Sequence, residues 1–120
     1  MKTLLLFCNS FGYTPTEKTL DFVPVAGESK QHNHVQTLFI HLEKEDEKKE
    51  ASMFKKLVIH SFAHLSESKA DPEFSMHFLN RLEERMSAAG IEACQTPFGY
   101  FLDLHMDAPG FSQARVFKQF

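Results

Sequence analysis

The stretch Asp71-Pro72-Glu73, closed nineteen residues later by Gly90, most constrains what this chain can fold into. An acid at the N-cap, proline at the first helical position and a second acid in the first turn are the chemistry of a helix start. Phe74, Phe78, Leu82 and Met86, with Leu79 beside them, recur at three- and four-residue steps. They give one apolar stripe, and Gly90 supplies the stop. A helix with one apolar stripe needs an apolar partner, and the segments on both sides have the period of strands rather than helices.

Those segments order the rest of the chain. Lys2–Cys8 is a continuous apolar run, the pattern of a strand buried on both faces. Asn9–Thr16, with Gly12 and Pro15, reads as turn-rich. Leu20–Ala26 reads as a second strand, placed at an edge or bend by Pro24. Gly27–Asn33 reads as a polar loop, His34–Leu42 as a strand, and Glu43–Glu50 as a solvated charge block. A short helix over Asp46–Lys55 would barely allow a crossover to the next strand, Lys56–Phe62. After the helix come strands at Ile91–Thr96 and Tyr100–Asp107, then a short terminal helix over Phe111–Phe120. The expectation is an α/β domain, a single unit over residues 1–120, with a mixed sheet and flanking helices.

Charge and composition exclude more than they assign. A formal charge of −3 gives no global basic signature for nucleic acid, although a local basic edge can still engage a few phosphates. Two cysteines, Cys8 and Cys94, make no disulfide framework and suit a reducing, cytoplasmic setting. The opening apolar run is too short for a signal peptide, and nothing reaches membrane-spanning length. No phosphate-loop, dinucleotide-binding or nucleophile-elbow motif is present.

Several residues have chemistry to offer. Along Tyr100–Asp107 the alternation of a strand puts Asp103, His105 and Asp107 on one side and Leu102, Leu104 and Met106 on the other. The polar row suits either the floor of a site or an ordinary solvated face. His64 follows a buried strand at its carboxyl end, where ligand sites of open sheets gather. Cys8-Asn9-Ser10 ends the first strand and is a candidate for the same crevice, with Cys8 most simply a buried small residue. His60, deeper on the His64 side, reads as structural; His32, His34 and His77 read as solvated. Asp103 or His105 with His64 would form an acid–base pair. The same residues with Asp107 would suit zinc or manganese.

Three segments together carry a resemblance. Phe39-Ile40-His41-Leu42-Glu43-Lys44-Glu45-Asp46-Glu47-Lys48, Phe62-Ala63-His64-Leu65-Ser66 and Thr96-Pro97-Phe98-Gly99-Tyr100 resemble the N-terminal editing domain of archaeal threonyl-tRNA synthetase. The opening strand and the Asp71–Gly90 helix agree, so the likeness spans nearly the whole chain. It implies the fold of D-aminoacyl-tRNA deacylases, a homodimer without a cofactor, and hydrolysis of serine mischarged onto threonine tRNA. With no synthetase body in this sequence, a standalone relative is expected. The partner implied is the tRNA 3′ end, an aminoacyl-adenosine, with a threonyl-tRNA synthetase as a second candidate. His64 matches the family's pocket histidine. Phe62, Ala63 and Ser66 belong to the same matched segment, and Phe98, Gly99 and Tyr100 match the segment leading into the catalytic strand. Cys8 and Asn9 are substrate-binding candidates by their place at the end of the first strand. The chain departs from the family where an aromatic residue, commonly tyrosine, and a lysine important for hydrolysis give way to Phe101 and Leu102. Arg115 stands where the family's final helix has a glutamate, a reversal suited to a carboxylate or a tRNA phosphate. Three readings follow: a deacylase using His64 with Asp103 or His105, a non-catalytic binding module, and a small metal-dependent hydrolase.

Overall fold

A computed structural model of the chain describes residues 1–44 and 56–120; most of the charge block and the expected Asp46–Lys55 helix lie outside the described residues. The elements are β1 (Lys2–Lys18), β2 (Lys30–His41), β3 (Lys56–Ser61), α1 (Pro72–Ala88), β4 (Glu92–Gln95), β5 (Tyr100–Asp107), a 3-10 turn at Ser112–Ala114 and β6 (Arg115–Gln119). The strands form one six-stranded sheet in the order β4-β3-β2-β1-β5, with β6 also on β1. β2, β3 and β4 run parallel, and β1 is antiparallel to β2, β5 and β6. This is the mixed α/β sheet expected.

The Asp71–Gly90 helix forms as its caps dictate. The Asp71 carboxylate accepts the Phe74 N–H at 3.1 Å, and Gly90 takes a left-handed φ of 79° just beyond the end. Phe78, Leu79, Leu82 and Met86 are buried against Leu38, Ile40, Leu42, Leu57 and Ile59 on one face of the sheet. Each such side chain contributes about 1.5–3 kcal/mol relative to exposure. The other face carries a second cluster of Leu6, Cys8, Phe11, Tyr13, Val35, Phe39 and Val58, with Phe62, Leu102 and Leu104 packed on it.

β1 does not end at Cys8. It continues to Lys18, and the inward side changes from Leu6 and Cys8 to Phe11 and Tyr13 across Asn9-Ser10. Opposite this step, His34 of β2 has φ 50°, outside the strand region. One residue leaving the extended conformation shifts the parity of everything beyond it. The Gly12 and Pro15 signals therefore mark a long bent strand, irregular between Pro15 and Glu17, rather than a turn. The bend lets one strand hold two partners on one side: β6 beside Lys2–Leu6 and β5 beside Ser10–Lys18.

Three further expectations are corrected. Leu20–Ala26 is a loop, not a strand; Pro24 has no N–H to give a ladder, and the Tyr100 hydroxyl takes over the bonding, accepting from Ala26 N at 2.9 Å and donating to Pro24 O at 3.3 Å. The polar Gly27–Asn33 segment enters β2 from Lys30 onward. Phe111–Phe120 is the short 3-10 turn followed by β6, because the free edge of Lys2–Leu6 offers a complete ladder. Arg115 thus begins a strand, exposed, and not a final helix.

A candidate active-site cavity

The segment after β3 leaves the sheet and returns to α1 under close control from β2. Phe62 N donates to Ile40 O at 2.9 Å and Ala70 N to Leu42 O at 3.0 Å. Between these anchors the loop rests on His41, which is only 1 % exposed. His41 Nδ1 accepts from the backbone N–H groups of Leu65 (3.0 Å) and Ser66 (3.2 Å), and the ring meets Ser68 O through Nε2 at 2.8 Å. An imidazole nitrogen that accepts twice carries no proton, so the ring is the neutral Nε2–H tautomer donating to Ser68 O. Ser66 Oγ in turn donates to Glu43 Oε1 at 2.5 Å. That bond, then the N-terminal ammonium, holds the Glu43 carboxyl below the usual carboxylate range.

One strand over, His60 is 8 % exposed and bonded through Nδ1 to Thr96 Oγ1 at 2.9 Å. Burial lowers its pKa to about 4, so the ring is neutral at physiological pH. It belongs to an aromatic file: Phe39 to His60 at 5.0 Å, Phe39 to Phe62 at 5.3 Å, and Phe62 to His64 at 5.2 Å between ring centroids. The file leads from the core to the surface, where His64 is exposed.

Across from it, Gly99 makes the opposite wall possible. Its φ of 79° suits glycine, and a Cβ there would lie 2.9 Å from Val23 Cγ1. Gly99 O accepts from Thr19 N at 2.7 Å, tying the end of β1 to the start of β5. The two walls enclose a cavity of about 550 Å³. It is bounded by the ends of β2 and β3, the Phe62–His64 segment, Lys69, the Phe98–Gly99–Tyr100 turn, and Leu102 and Leu104 of β5. That volume is within the range of small-ligand sites. Its lining contains histidines, hydroxyls and Lys69, and no Asp or Glu among the described residues.

Phe62, Ala63, His64, Phe98, Gly99 and Tyr100 therefore line one cavity. Ser66 lies in an adjoining basin. The remaining candidates lie elsewhere. Cys8 is fully buried, with its sulfur accepting from Thr37 Oγ1 at 3.7 Å and its pKa raised by desolvation. Asn9 is exposed in mid-strand because β1 runs on past it, and Arg115 is on the β6 edge. The alternation along β5 is real, but its apolar side faces the cavity: Leu102 and Leu104 line it, while Asp103, His105 and Asp107 are exposed and do not. No three His, Cys, Asp or Glu side chains gather as a metal site among the described residues, so the constellation of His64 with that row is not formed. His41 was visible in sequence only as part of a motif. Its role emerges from the loop that it anchors.

The chain is similar to known proteins over nearly its whole length. The model of the archaea-specific editing domain of threonyl-tRNA synthetase matches residues 1–120. The threonine–tRNA ligase of Thermofilum pendens is 31% identical over 127 residues, covering 92% of this chain and 21% of the ligase. That of Thermococcus kodakarensis is 27% identical over 135 residues, covering 97% and 22%. The chain thus spans about a fifth of the length of these relatives. Among solved structures, a c-Myc DNA unwinding element binding protein superposes with a TM-score of 0.60 at 12% identity, covering 99% of this chain and 98% of that one. This shared fold is the deacylase-like α/β architecture expected.

Proposed function

Because this chain belongs to the archaea-specific editing-domain family of threonyl-tRNA synthetase, we propose that it hydrolyses the ester of a mischarged tRNA, serine on threonine tRNA. The observation that carries the proposal is the convergence of Phe62-Ala63-His64 and Phe98-Gly99-Tyr100 on one cavity of nucleoside size. The terminal adenosine enters it, with its base against the aromatic file. Water attacks the acyl carbonyl, the acyl C–O bond breaks, and the ribose oxygen leaves with a proton. His64 orients the substrate or the water, and the vicinal ribose hydroxyl assists. Serine differs from threonine by one methyl, a difference that binding in a synthetic site discriminates weakly, which is the circumstance that calls for editing.

A second copy is the proposed partner in assembly. Phe111, Phe117 and Phe120 are exposed near or along β6, which borders the sheet beside β1, and an apolar sheet edge calls for cover. The setting proposed is cytoplasmic, alongside a threonyl-tRNA synthetase.

The apolar cavity wall at Leu102 favours a second reading, a module that binds the aminoacyl-adenosine end without hydrolysing it. Incubating the protein with seryl-threonine tRNA and a panel of D-aminoacyl-tRNAs separates the two. Loss of ester above the spontaneous rate, diminished in His64→Ala, supports the hydrolase. A rate equal to the spontaneous one, unchanged in His64→Ala, leaves the binding module.

A further inference from the structure

The cavity does not stand alone. A wider basin adjoins it, lined by Lys2, Ala63, His64, Leu65, Ser66, Glu67 and Lys69, and the two share Ala63, His64 and Lys69. Their characters differ. The cavity is walled mostly by aromatic and aliphatic groups, whereas the basin is polar and carries two ammonium groups. In a chain of formal charge −3 such a pair is a local departure. Lys2 is 3.9 Å from Glu43 Oε1, an ion pair longer than a hydrogen bond. Lys69 makes no ion pair among the described residues.

A ligand that spans both spaces has a flat, partly apolar body and an anionic group one short linkage away. A nucleotide has that form. Single-stranded nucleic acid binds by this division, stacking on aromatic groups while lysines meet the phosphates. We infer that the basin beside the cavity, with Lys69 as its principal cation and Lys2 and His64 around it, receives the phosphodiester preceding the terminal adenosine of the tRNA. The inference rests on the nucleoside-binding cavity proposed above and adds the path of the strand, which enters over the Leu65–Lys69 loop. Glu67 opposes the anion from the same basin and limits the gain. His41, by fixing Leu65 and Ser66, keeps that entry in place.

The test compares adenosine with adenosine 5′-(methyl phosphate), a diester carrying the single charge of the tRNA linkage, by titration calorimetry or NMR shifts. The diester is expected to bind tighter by about two- to fivefold at low salt, the scale of one exposed charge pair. The increment shrinks with added salt, disappears in Lys69→Gln and persists in Lys69→Arg. Lys69 is exposed, so its replacement leaves the core untouched. Equal binding of the two compounds, or an increment that survives in Lys69→Gln, overturns the phosphate site. Adenosine binding without the increment does so while the nucleoside cavity stands; binding of neither compound overturns both.

Discussion

The ring of His41 holds the backbone N–H of Leu65 at 3.0 Å, and with it the loop that presents His64. A core histidine at the cavity wall thus positions a surface one through the loop that follows it. His41→Phe keeps the bulk but strands two N–H donors and one carbonyl, at about 1–3 kcal/mol for each group left unmet. Partial solvation of the loop lowers the sum, and a loss of about 2–4 kcal/mol in urea denaturation is expected. Hydrogen exchange at Leu65 and Ser66 should accelerate, and His41→Gln, whose amide oxygen can accept, should recover part of both. Unchanged exchange at these two amides in His41→Phe would refute the anchoring role.

The sequence disclosed what local chemistry decides and concealed what long-range pairing decides. The Asp71 cap, the Phe74–Met86 stripe and the Tyr100–Asp107 strand were readable because their signals are contained within a few residues. β6 was not: Arg115–Gln119 is a strand only because Lys2–Leu6 presents an open edge a whole chain length away. Asn9-Ser10 and Pro15 were misread for a related reason, since a bend inside a long strand uses the same residues as a turn. At the site, motif residues located both walls of the cavity. Alternation in β5 was correct yet did not reveal which side faced inward, a property fixed by the cluster around Phe39 and Tyr13.

His60 makes stability depend on pH. Its folded pKa, about 4, lies below the ordinary 6.5. The unfolded chain therefore binds the proton first as pH falls. The stabilisation is fully present above pH 6.5 and is lost between 6.5 and 4, amounting to about 3 kcal/mol from the size of the shift. His32 is lowered too, by burial and then by Lys30, and acts in the same direction. Glu43, with its pKa below the ordinary 4.5, adds its loss only at more acid pH. Urea midpoints from pH 7 to 4 should fall steeply in the wild type and more gently in His60→Gln. Parallel curves for the two proteins would show that His60 carries no such linkage.

Phe117 lies on β6 opposite Leu4 and is 55 % exposed. If a second copy covers this edge, twofold symmetry uses each side chain twice, so one substitution removes two contacts of about 1.5–3 kcal/mol each. Light scattering after gel filtration should give twice the 13.8 kDa chain mass for the wild type. Phe117→Asp should run as a monomer with an unchanged thermal midpoint at high dilution, because the side chain is outside both cores. A wild type that is monomeric at tens of micromolar would dismiss this edge as an interface.

Leu102 lines the cavity, whereas Asp103, its neighbour, does not. The resemblance to the editing-domain family puts a lysine important for hydrolysis at position 102. Leu102→Lys therefore returns a cation to a wall that has no carboxylate among the described residues to neutralise it. The aliphatic stem keeps part of the packing against the second core cluster while the ammonium extends into the cavity. A stability loss of about 1–2 kcal/mol is expected from the missing branch and the partial desolvation. A donor aimed at a developing oxyanion is worth more than that, so deacylation of seryl-threonine tRNA should rise by about tenfold or more. Asp103→Ala and His105→Ala, on the exposed side of β5, should leave the rate within about twofold, the scale of surface substitutions. A Leu102→Lys protein that folds, binds the tRNA and hydrolyses no faster than the wild type would show that this wall does not face the reacting ester.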